Sequence, residues 1–244
     1  MTRAGLRAQV ARAHRWGRRA AWPLGSIDAV RSGARVVLTY DDGPEPGGTD
    51  AVLTALADAG VTATFFVLLS RVRAYPSLFA DILAGGHEVG LHGTDHRALP
   101  SLTAPEVRAR CRDGRAELED RTGAAVRWLR PPYGRLRLGD WRAARAAGLM
   151  PVLWGPSTHD TTSGSVPDKL ASARKGIVAG AVLLSHDGFA AAMDGVDDGP
   201  APDVDRGRLS HEVIALCLER GLTPCSLGSA LAAGRARRSA VFTG

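Results

Sequence analysis

The sequence is poor in lysine and in aromatic residues. Of its 31 basic residues, only Lys169 and Lys175 are lysines, so nearly all of the positive charge is arginine. Alanine and glycine are also abundant, and a coding bias is the simplest explanation of this composition. The net charge of +6 therefore does not indicate a nucleic-acid partner. The positive charge is still compatible with an anionic lipid or an anionic substrate as a partner.

Cysteines are few, and long apolar runs are missing. The three cysteines are an odd number without a CxxC spacing, so at least one is unpaired, and a reducing compartment is favoured. No apolar run is long enough to span a bilayer. Residues 1–21 are basic and lack the apolar core of a secretion signal. We therefore expect a cytoplasmic protein.

The basic N-terminal segment has two interpretations. On a helix, Leu6, Val10 and Ala13 would share one face, with most arginines elsewhere, as in helices that rest on acidic membranes. The apolar stripe is thin, so we favour a short helix packed on the main domain, or a disordered tail. We assign residues 1–34 to this extension, helical or flexible, residues 35–235 to one domain, and residues 236–244 to a tail.

Beyond residue 35 the pattern alternates between strand and helix. About seven such units without a linker predict a parallel sheet covered by helices, and this length favours a closed or nearly closed barrel. In such barrels the chemistry gathers at the C-terminal strand ends. Polar residues follow the predicted strands at five places: Asp41 with Asp42, His92 to His96, Arg130 to Tyr133, Asp160, and His186.

The first polar cluster is a pair of adjacent carboxylates. Three apolar residues, 36–38, lead towards Asp41 and Asp42, and Gly43 with Pro44 ends the run. Neighbouring strand residues point in opposite directions, so one carboxylate is able to hold a metal while the other stays free as a base. The alternative is a surface turn.

The second cluster has the spacing of metal ligands. His92 and His96 are four residues apart, which suits two imidazole ligands as well as two ordinary surface histidines. With Asp42 they form the two-histidine, one-carboxylate set of a catalytic zinc site. The same ligands accept Zn²⁺, Co²⁺ or Ni²⁺, and we expect Zn²⁺.

Four motifs resemble those of a known family. They are Thr-Tyr-Asp-Asp-Gly-Pro at residues 39–44, His-Gly-Thr-Asp-His at 92–96, Arg-Pro-Pro-Tyr-Gly at 130–134 and Leu-Leu-Ser-His at 183–186. In order and spacing they resemble the polysaccharide deacetylases, which are NodB homology domains of carbohydrate esterase family 4. The resemblance covers residues 35–227.

This resemblance implies a distorted (β/α)7 barrel and metal-dependent N-deacetylation of an acetamido sugar. The roles it implies are a metal held by Asp42, His92 and His96, Asp41 as general base, His186 as general acid, Arg130 orienting Asp41, and the backbone N–H of Tyr133 binding the oxyanion. Without the resemblance, Arg130 would be a strand cap, Tyr133 a rim aromatic and His186 a core histidine.

One family motif is altered. Where the family usually has Asp-x-x-Asp-Trp, this chain has Ser157, Asp160 and Thr161 at the three defined positions. Asp160 is expected to hydrogen-bond His186. Loss of the tryptophan puts the usual acetyl pocket in doubt, and we assign substrate contact to Trp154, Pro132 and Tyr133. Gly93 is another departure, because the second residue of the family's histidine motif is usually serine or threonine.

The segment 188–205 is rich in Gly, Asp and Pro. Its five aspartates would favour a cationic or polyhydroxylated ligand. The other interpretation, a solvated mobile loop, is favoured.

Three functions are therefore open. The first is a metal-dependent N-deacetylase of an N-acetylated sugar or glycoconjugate, a soluble biosynthetic intermediate rather than a wall polymer. The second is a deformylase or an amidase on another amide. The third is a sugar-binding domain that has lost catalysis, against which the presence of Asp41, Asp42, His92, His96 and His186 argues.

Overall fold

The computed structural model describes residues 24–242. The strands are β1 (Ser26–Arg31), β2 (Arg35–Asp41), β3 (Thr64–Leu68), β4 (Glu88–Gly93), β5 (Trp128–Leu129), β6 (Met150–Pro151), β7 (Val182–His186), β8 (Thr223–Cys225) and β9 (Arg235–Ser239). The helices are α1 (Thr49–Asp58), α2 (Leu69–Ala74), α3 (Pro76–Ala84), α4 (Ala104–Thr122), α5 (Leu138–Ala146), α6 (Val166–Arg174), α7 (Arg206–Glu219) and α8 (Leu227–Ala232).

The main sheet is parallel and curves back towards its own first edge. Its strand order is β6-β5-β4-β3-β2-β7, and β8 pairs with the beginning of β2. The irregular segment after β6 then reaches β7, where Gly155 N–H donates to Val182 O at 3.0 Å and Thr158 N–H donates to Leu184 O at 3.0 Å. Strands and helices alternate around this sheet, so the predicted α/β fold, a distorted (β/α)7 barrel in one domain, is confirmed. No regular closed ring of strands is formed within residues 24–242.

The central strand β2 is apolar on both faces, as a covered parallel strand must be. Val36, Leu38 and Tyr40 pack in the larger hydrophobic cluster, under the helices, whereas Val37 packs in a second cluster with Phe66. Because side chains alternate along a strand, Thr39 and Asp41 lie on the same face as Val37. This alternation directs the Asp41 side chain towards the inside of the barrel.

A two-stranded antiparallel ribbon, β1 with β9, lies against the open side of the sheet. Ile27 O accepts from Leu153 N–H at 2.7 Å, and Val30 N–H donates to Gly180 O at 2.8 Å. The sequence analysis placed β1 in a helical or flexible extension and most of β9 in a tail, so for these residues the structure corrects the prediction. The amphipathic helix considered for residues 1–21 lies outside the described residues.

Other local features concern a helix cap, the cysteines and the helix lengths. The capping box of α4 is present, with Thr103 N–H donating to Glu106 Oε2 at 2.7 Å. All three cysteines are buried and free. No helix within residues 24–242 is long and apolar enough to cross a membrane.

Candidate active site

The strand ends meet at one cavity of about 460 Å³. The side chains and turns that line it come from the ends of β2, β4, β5 and β7 and from the loops after β6 and β7. They are Asp41, Asp42, His92, His96, Pro131, Tyr133, Gly134, Trp154, Ser157, His159, Thr161, Leu184, His186, Phe189, Ala190 and Asp198. The position of this cavity is the one that a parallel barrel predicts.

Three predicted metal ligands converge on one point. Asp42 has a left-handed backbone (φ 74°), which turns its side chain away from that of Asp41. Its Oδ1 lies 3.2 Å from His92 Nε2 and 3.3 Å from His96 Nε2. All three side chains are buried, and their ligand atoms lie within 4.8 Å of one another.

The chemistry of this donor set fits a divalent cation. Two ligand atoms that are each about 2.0–2.1 Å from a shared tetrahedral Zn²⁺ lie roughly 3.3 Å apart, close to the distances from Asp42 Oδ1 to the two imidazoles. Among the described residues, no hydrogen bond satisfies the buried Asp42 Oδ1. A cation at this point would supply the missing partner.

The pKa values of two of the three ligands, Asp42 and His96, are shifted towards the forms that bind a metal. Burial would raise the pKa of Asp42, but the neighbouring His92, His186 and His96 hold that pKa well below its usual range. Burial lowers the pKa of His96, which favours the neutral imidazole that binds metals. Burial also opposes charge on His92, but Asp41 and Asp42 raise its pKa, so metal binding there would release a proton.

The end of β5 orients the first histidine. His92 Nδ1 lies 2.8 Å from the carbonyl oxygen of Arg130, to which it donates when it carries a proton. This bond leaves Nε2 as the ring nitrogen that faces Asp42. A hydrogen bond from the ring nitrogen that does not bind the metal is the usual support of a metal-binding histidine.

The second carboxylate is held by a buried arginine. Arg130 is fully buried, and its Nη1 donates to Asp41 Oδ1 at 2.7 Å and to Thr39 Oγ1 at 2.7 Å. The guanidinium also lies 4.2 Å from the centre of the Phe66 ring. Asp41 therefore has one oxygen fixed by Arg130 and lines the cavity beside the ligand set.

The predicted acid lies at the end of β7. His186 Nδ1 is 2.7 Å from Asp160 Oδ1, and Asp160 Oδ2 accepts from the backbone N–H of His186 at 2.8 Å. Arg206, at the start of α7, contacts the same Oδ2 at 3.3 Å. Burial alone would lower the pKa of His186, but Asp160, with Asp42 and Asp41, raises it to about 9. The ring is therefore protonated at neutral pH.

The predicted substrate contacts are only partly in the cavity. Tyr133 and Trp154 line it, and Tyr133 has a left-handed backbone (φ 58°). Pro132 does not line this cavity, because it is buried at the start of the turn Pro132–Gly134, beside Leu129. Pro131 lies on the cavity wall instead, and substrate contact by Pro132 stays a prediction.

The altered motif forms one wall of the cavity. Ser157 and Thr161 both line it, together with His159, which the sequence analysis did not select. His159 has a left-handed backbone (φ 53°), and its carbonyl accepts from the buried Lys169 Nζ at 2.8 Å. Only the position of His159 in the motif pointed to the cavity; its conformation left no signal in the sequence.

Another buried acid beside the site was also missed. Asp187 follows His186, and its carboxylate accepts from Gly43 N–H at 3.2 Å and from the Thr49 hydroxyl at 2.6 Å. A Cβ on Gly43 would lie 1.9 Å from Asp187 Oδ2, so glycine is required there. Burial raises the pKa of Asp187 to about 7. Asp187 thus braces the turn that carries Asp42.

Comparisons of the sequence with known proteins agree with the motifs. A family model described as polysaccharide deacetylase matches residues 28–152. The peptidoglycan-N-acetylglucosamine deacetylase PgdA of Listeria monocytogenes is 34% identical over 164 residues, which cover 66% of this chain and 34% of the relative. The chitooligosaccharide deacetylase of a Bradyrhizobium species is 33% identical over 166 residues, which cover 68% of this chain and 74% of the relative. The matched region is thus about a third of the Listeria protein.

Solved structures share the fold. A family 4 carbohydrate esterase from Streptomyces lividans, in complex with acetate, aligns with a TM-score of 0.69 at 22% identity and covers 86% of this chain and 100% of its own. A CE4 family pseudoenzyme from Bacillus anthracis aligns with a TM-score of 0.73 at 21% identity, covering 84% of this chain and 68% of its own. These identities show a common fold alone. The sequence matches go further: the family model covers just over half of the residues, and the chain belongs to the polysaccharide deacetylase family.

Proposed function

We propose that this chain is a metal-dependent N-deacetylase that hydrolyses the acetamido group of an N-acetylated sugar. One observation carries the proposal: a buried ligand set, Asp42 with His92 and His96, opens onto the same cavity as a carboxylate and an imidazole, each held by its own partner. The names of the relatives, which are deacetylases of peptidoglycan and of chitooligosaccharides, support this reaction.

The residues divide the proton transfers between them. When a divalent cation is bound, the chemistry it supplies is polarisation of the acetamide carbonyl and a lowered pKa of the attacking water. Asp41, fixed through one oxygen by Arg130, takes the proton of that water. The water oxygen adds to the carbonyl carbon and forms the new C–O bond, which turns the carbonyl oxygen into an oxyanion, and the C–N bond then breaks to release acetate and the amine.

The leaving amine takes its proton from the other side of the site. His186 carries this proton at neutral pH because Asp160 raises its pKa, and it donates to the nitrogen as the C–N bond breaks. The left-handed turn at Tyr133 presents a backbone N–H that we assign to the developing oxyanion. One such donor contributes about 3 kcal/mol.

We infer a soluble saccharide, rather than a wall polymer, as the substrate. Support comes from the relative named as a chitooligosaccharide deacetylase, which is 33% identical over 166 residues. At residues 157 and 161, serine and threonine stand in place of the acid and the tryptophan of the usual motif, so this wall of the cavity lacks their charge and their aromatic surface. Zn²⁺ is the cation that we expect.

Release of acetate tests the reaction. Zn²⁺-loaded protein is incubated with N-acetylglucosamine, its β-1,4 oligomers and peptidoglycan, and acetate is measured. We expect acetate from the oligomers, with Asp41→Asn inactive although it retains its metal. Acetate from peptidoglycan alone would contradict the substrate class. Inertness on all of these, with hydrolysis of formamides or non-sugar amides, would contradict deacetylation of sugars, and inertness with glycan binding would indicate a binding domain.

A further inference from the structure

An acidic side chain from the loop between β7 and α7 reaches two residues of the cavity. Asp198 accepts from the Tyr133 hydroxyl at 2.9 Å on Oδ1 and 2.7 Å on Oδ2. Its Oδ2 also lies 3.4 Å from His96 Nδ1. The sequence analysis treated this aspartate as part of a solvated loop. In the structure Asp198 is exposed, and its carboxylate lines the cavity.

The second metal-binding histidine otherwise lacks support. His96 faces Asp42 through Nε2, so a cation at that nitrogen requires the proton to be on Nδ1. Among the described residues, no hydrogen bond satisfies this buried Nδ1. For His92 the corresponding nitrogen lies 2.8 Å from the carbonyl of Arg130. The two histidines therefore differ in what fixes their protons.

We propose that Asp198 is a positioning residue for the metal site, which accepts a hydrogen bond from His96 Nδ1 and fixes the ring for ligation through Nε2. This inference rests on the proposed metal site. The distance of 3.4 Å is long for a hydrogen bond, and such bonds often shorten when a site is loaded. Through the Tyr133 hydroxyl, the same carboxylate also holds the aromatic wall, whose ring centre lies 4.4 Å from that of His96.

The loop is anchored so that Asp198 stays within reach. Asp194, four residues earlier, is fully buried, and its carboxylate pairs with the buried Arg71 at 2.8 Å. It also accepts from the Ser70 hydroxyl at 2.7 Å. The backbone carbonyl of Asp194 accepts from His96 N–H at 2.9 Å. The loop thus contacts His96 at the backbone as well as near the ring, and it becomes part of the metal site.

Zinc affinity tests this proposal without any substrate. Zn²⁺ is titrated against a chromophoric chelator for the unsubstituted protein, Asp198→Ala, Asp198→Asn and Asp197→Ala. Asp197 is the neighbouring aspartate, is also exposed and is not among the residues that line the cavity, so it serves as the matched control. We expect both substitutions of Asp198 to weaken zinc binding about 10- to 100-fold and the control to stay within about threefold.

A second readout separates positioning from a general loss of structure. In metal-free protein, ¹⁵N chemical shifts of the His96 ring report which nitrogen carries the proton. The share of Nδ1–H should fall in Asp198→Ala and stay unchanged in Asp197→Ala. Zinc affinities and tautomer shares equal to those of the control would overturn the proposal. If the substrate screen fails while the zinc affinities follow this pattern, the deacetylase proposal alone is contradicted.

Discussion

Replacement of Arg130 by methionine should harm both the stability and the activity of this protein. Arg130 is fully buried and Asp41 is 2% exposed, so the substitution leaves a carboxylate in the interior without its cation. Methionine keeps much of the apolar volume beside Phe66, but it cannot donate to Asp41, to Thr39 or to the carbonyl of Leu153.

The magnitude follows from the ion pair. Arg130 Nη1 and Asp41 Oδ1 are 2.7 Å apart, and charge centres roughly 4 Å apart attract by about 4 kcal/mol at an effective dielectric constant of 20. Removing one partner of a buried pair typically costs about 3–5 kcal/mol of unfolding free energy. Without the hydrogen bond from Arg130, Asp41 is also no longer fixed as a base, and loss of a positioned base typically lowers kcat/KM about 10²- to 10⁴-fold.

A double-mutant cycle separates this effect from lost packing. Urea unfolding is measured at pH 7, after chelation, for Arg130→Met, Asp41→Asn and the double variant. Each single variant leaves one buried charge unpaired, whereas the double variant leaves none, so it should be more stable than Arg130→Met. We expect a coupling energy of about 2–3 kcal/mol. Additive losses would refute the conclusion that the pair acts as a unit.

Three further predictions concern other residues. Asp160→Asn removes the charge that raises the pKa of His186, so the basic limb of the kcat/KM profile should move to lower pH; an unmoved limb would argue against His186 as the acid. Asp187 has a pKa near 7 when folded and 3.8 as its ordinary value, so the folded protein holds a proton that the unfolded chain loses over that window. The free energy of unfolding should therefore fall between pH 4 and 7, and Asp187→Asn should remove up to about 4 kcal/mol of this fall in chelated protein; an unchanged slope in urea unfolding would contradict it. Trp154→Ala should raise KM about tenfold with little change in kcat, because it removes an aromatic contact with the substrate. A fall in kcat as large as the rise in KM would contradict a role in substrate binding alone.

The sequence predicted which side chains lie together where those side chains are carried by strand ends. Asp41, His92 and His186 each follow an apolar run, and the parallel arrangement brings such ends together. Their convergence required no knowledge of loops. The left-handed turn that separates Asp42 from Asp41 was only implied, since aspartate tolerates that conformation without requiring it.

The sequence analysis missed the features that leave no periodic pattern of apolar and polar residues. Strand β9, Arg235–Ser239, has no alternation of apolar and polar residues, so its pairing with β1 left no signal in the sequence. The inward turn of Asp198 depends on the buried anchor between Asp194 and Arg71, a contact across 123 residues. Pro131 and Pro132 are adjacent, and only the turn geometry decides which one faces the cavity.

Metal content is the measurement that tests the central claim most directly. Protein purified without chelators, reloaded with Zn²⁺ and desalted, is analysed by inductively coupled plasma mass spectrometry beside His96→Ala and the surface control His211→Ala. We predict about one zinc per chain for the unsubstituted protein and for the control, and at most about a tenth of that for His96→Ala. Equal zinc in all three proteins would contradict the claim that Asp42, His92 and His96 form the metal site.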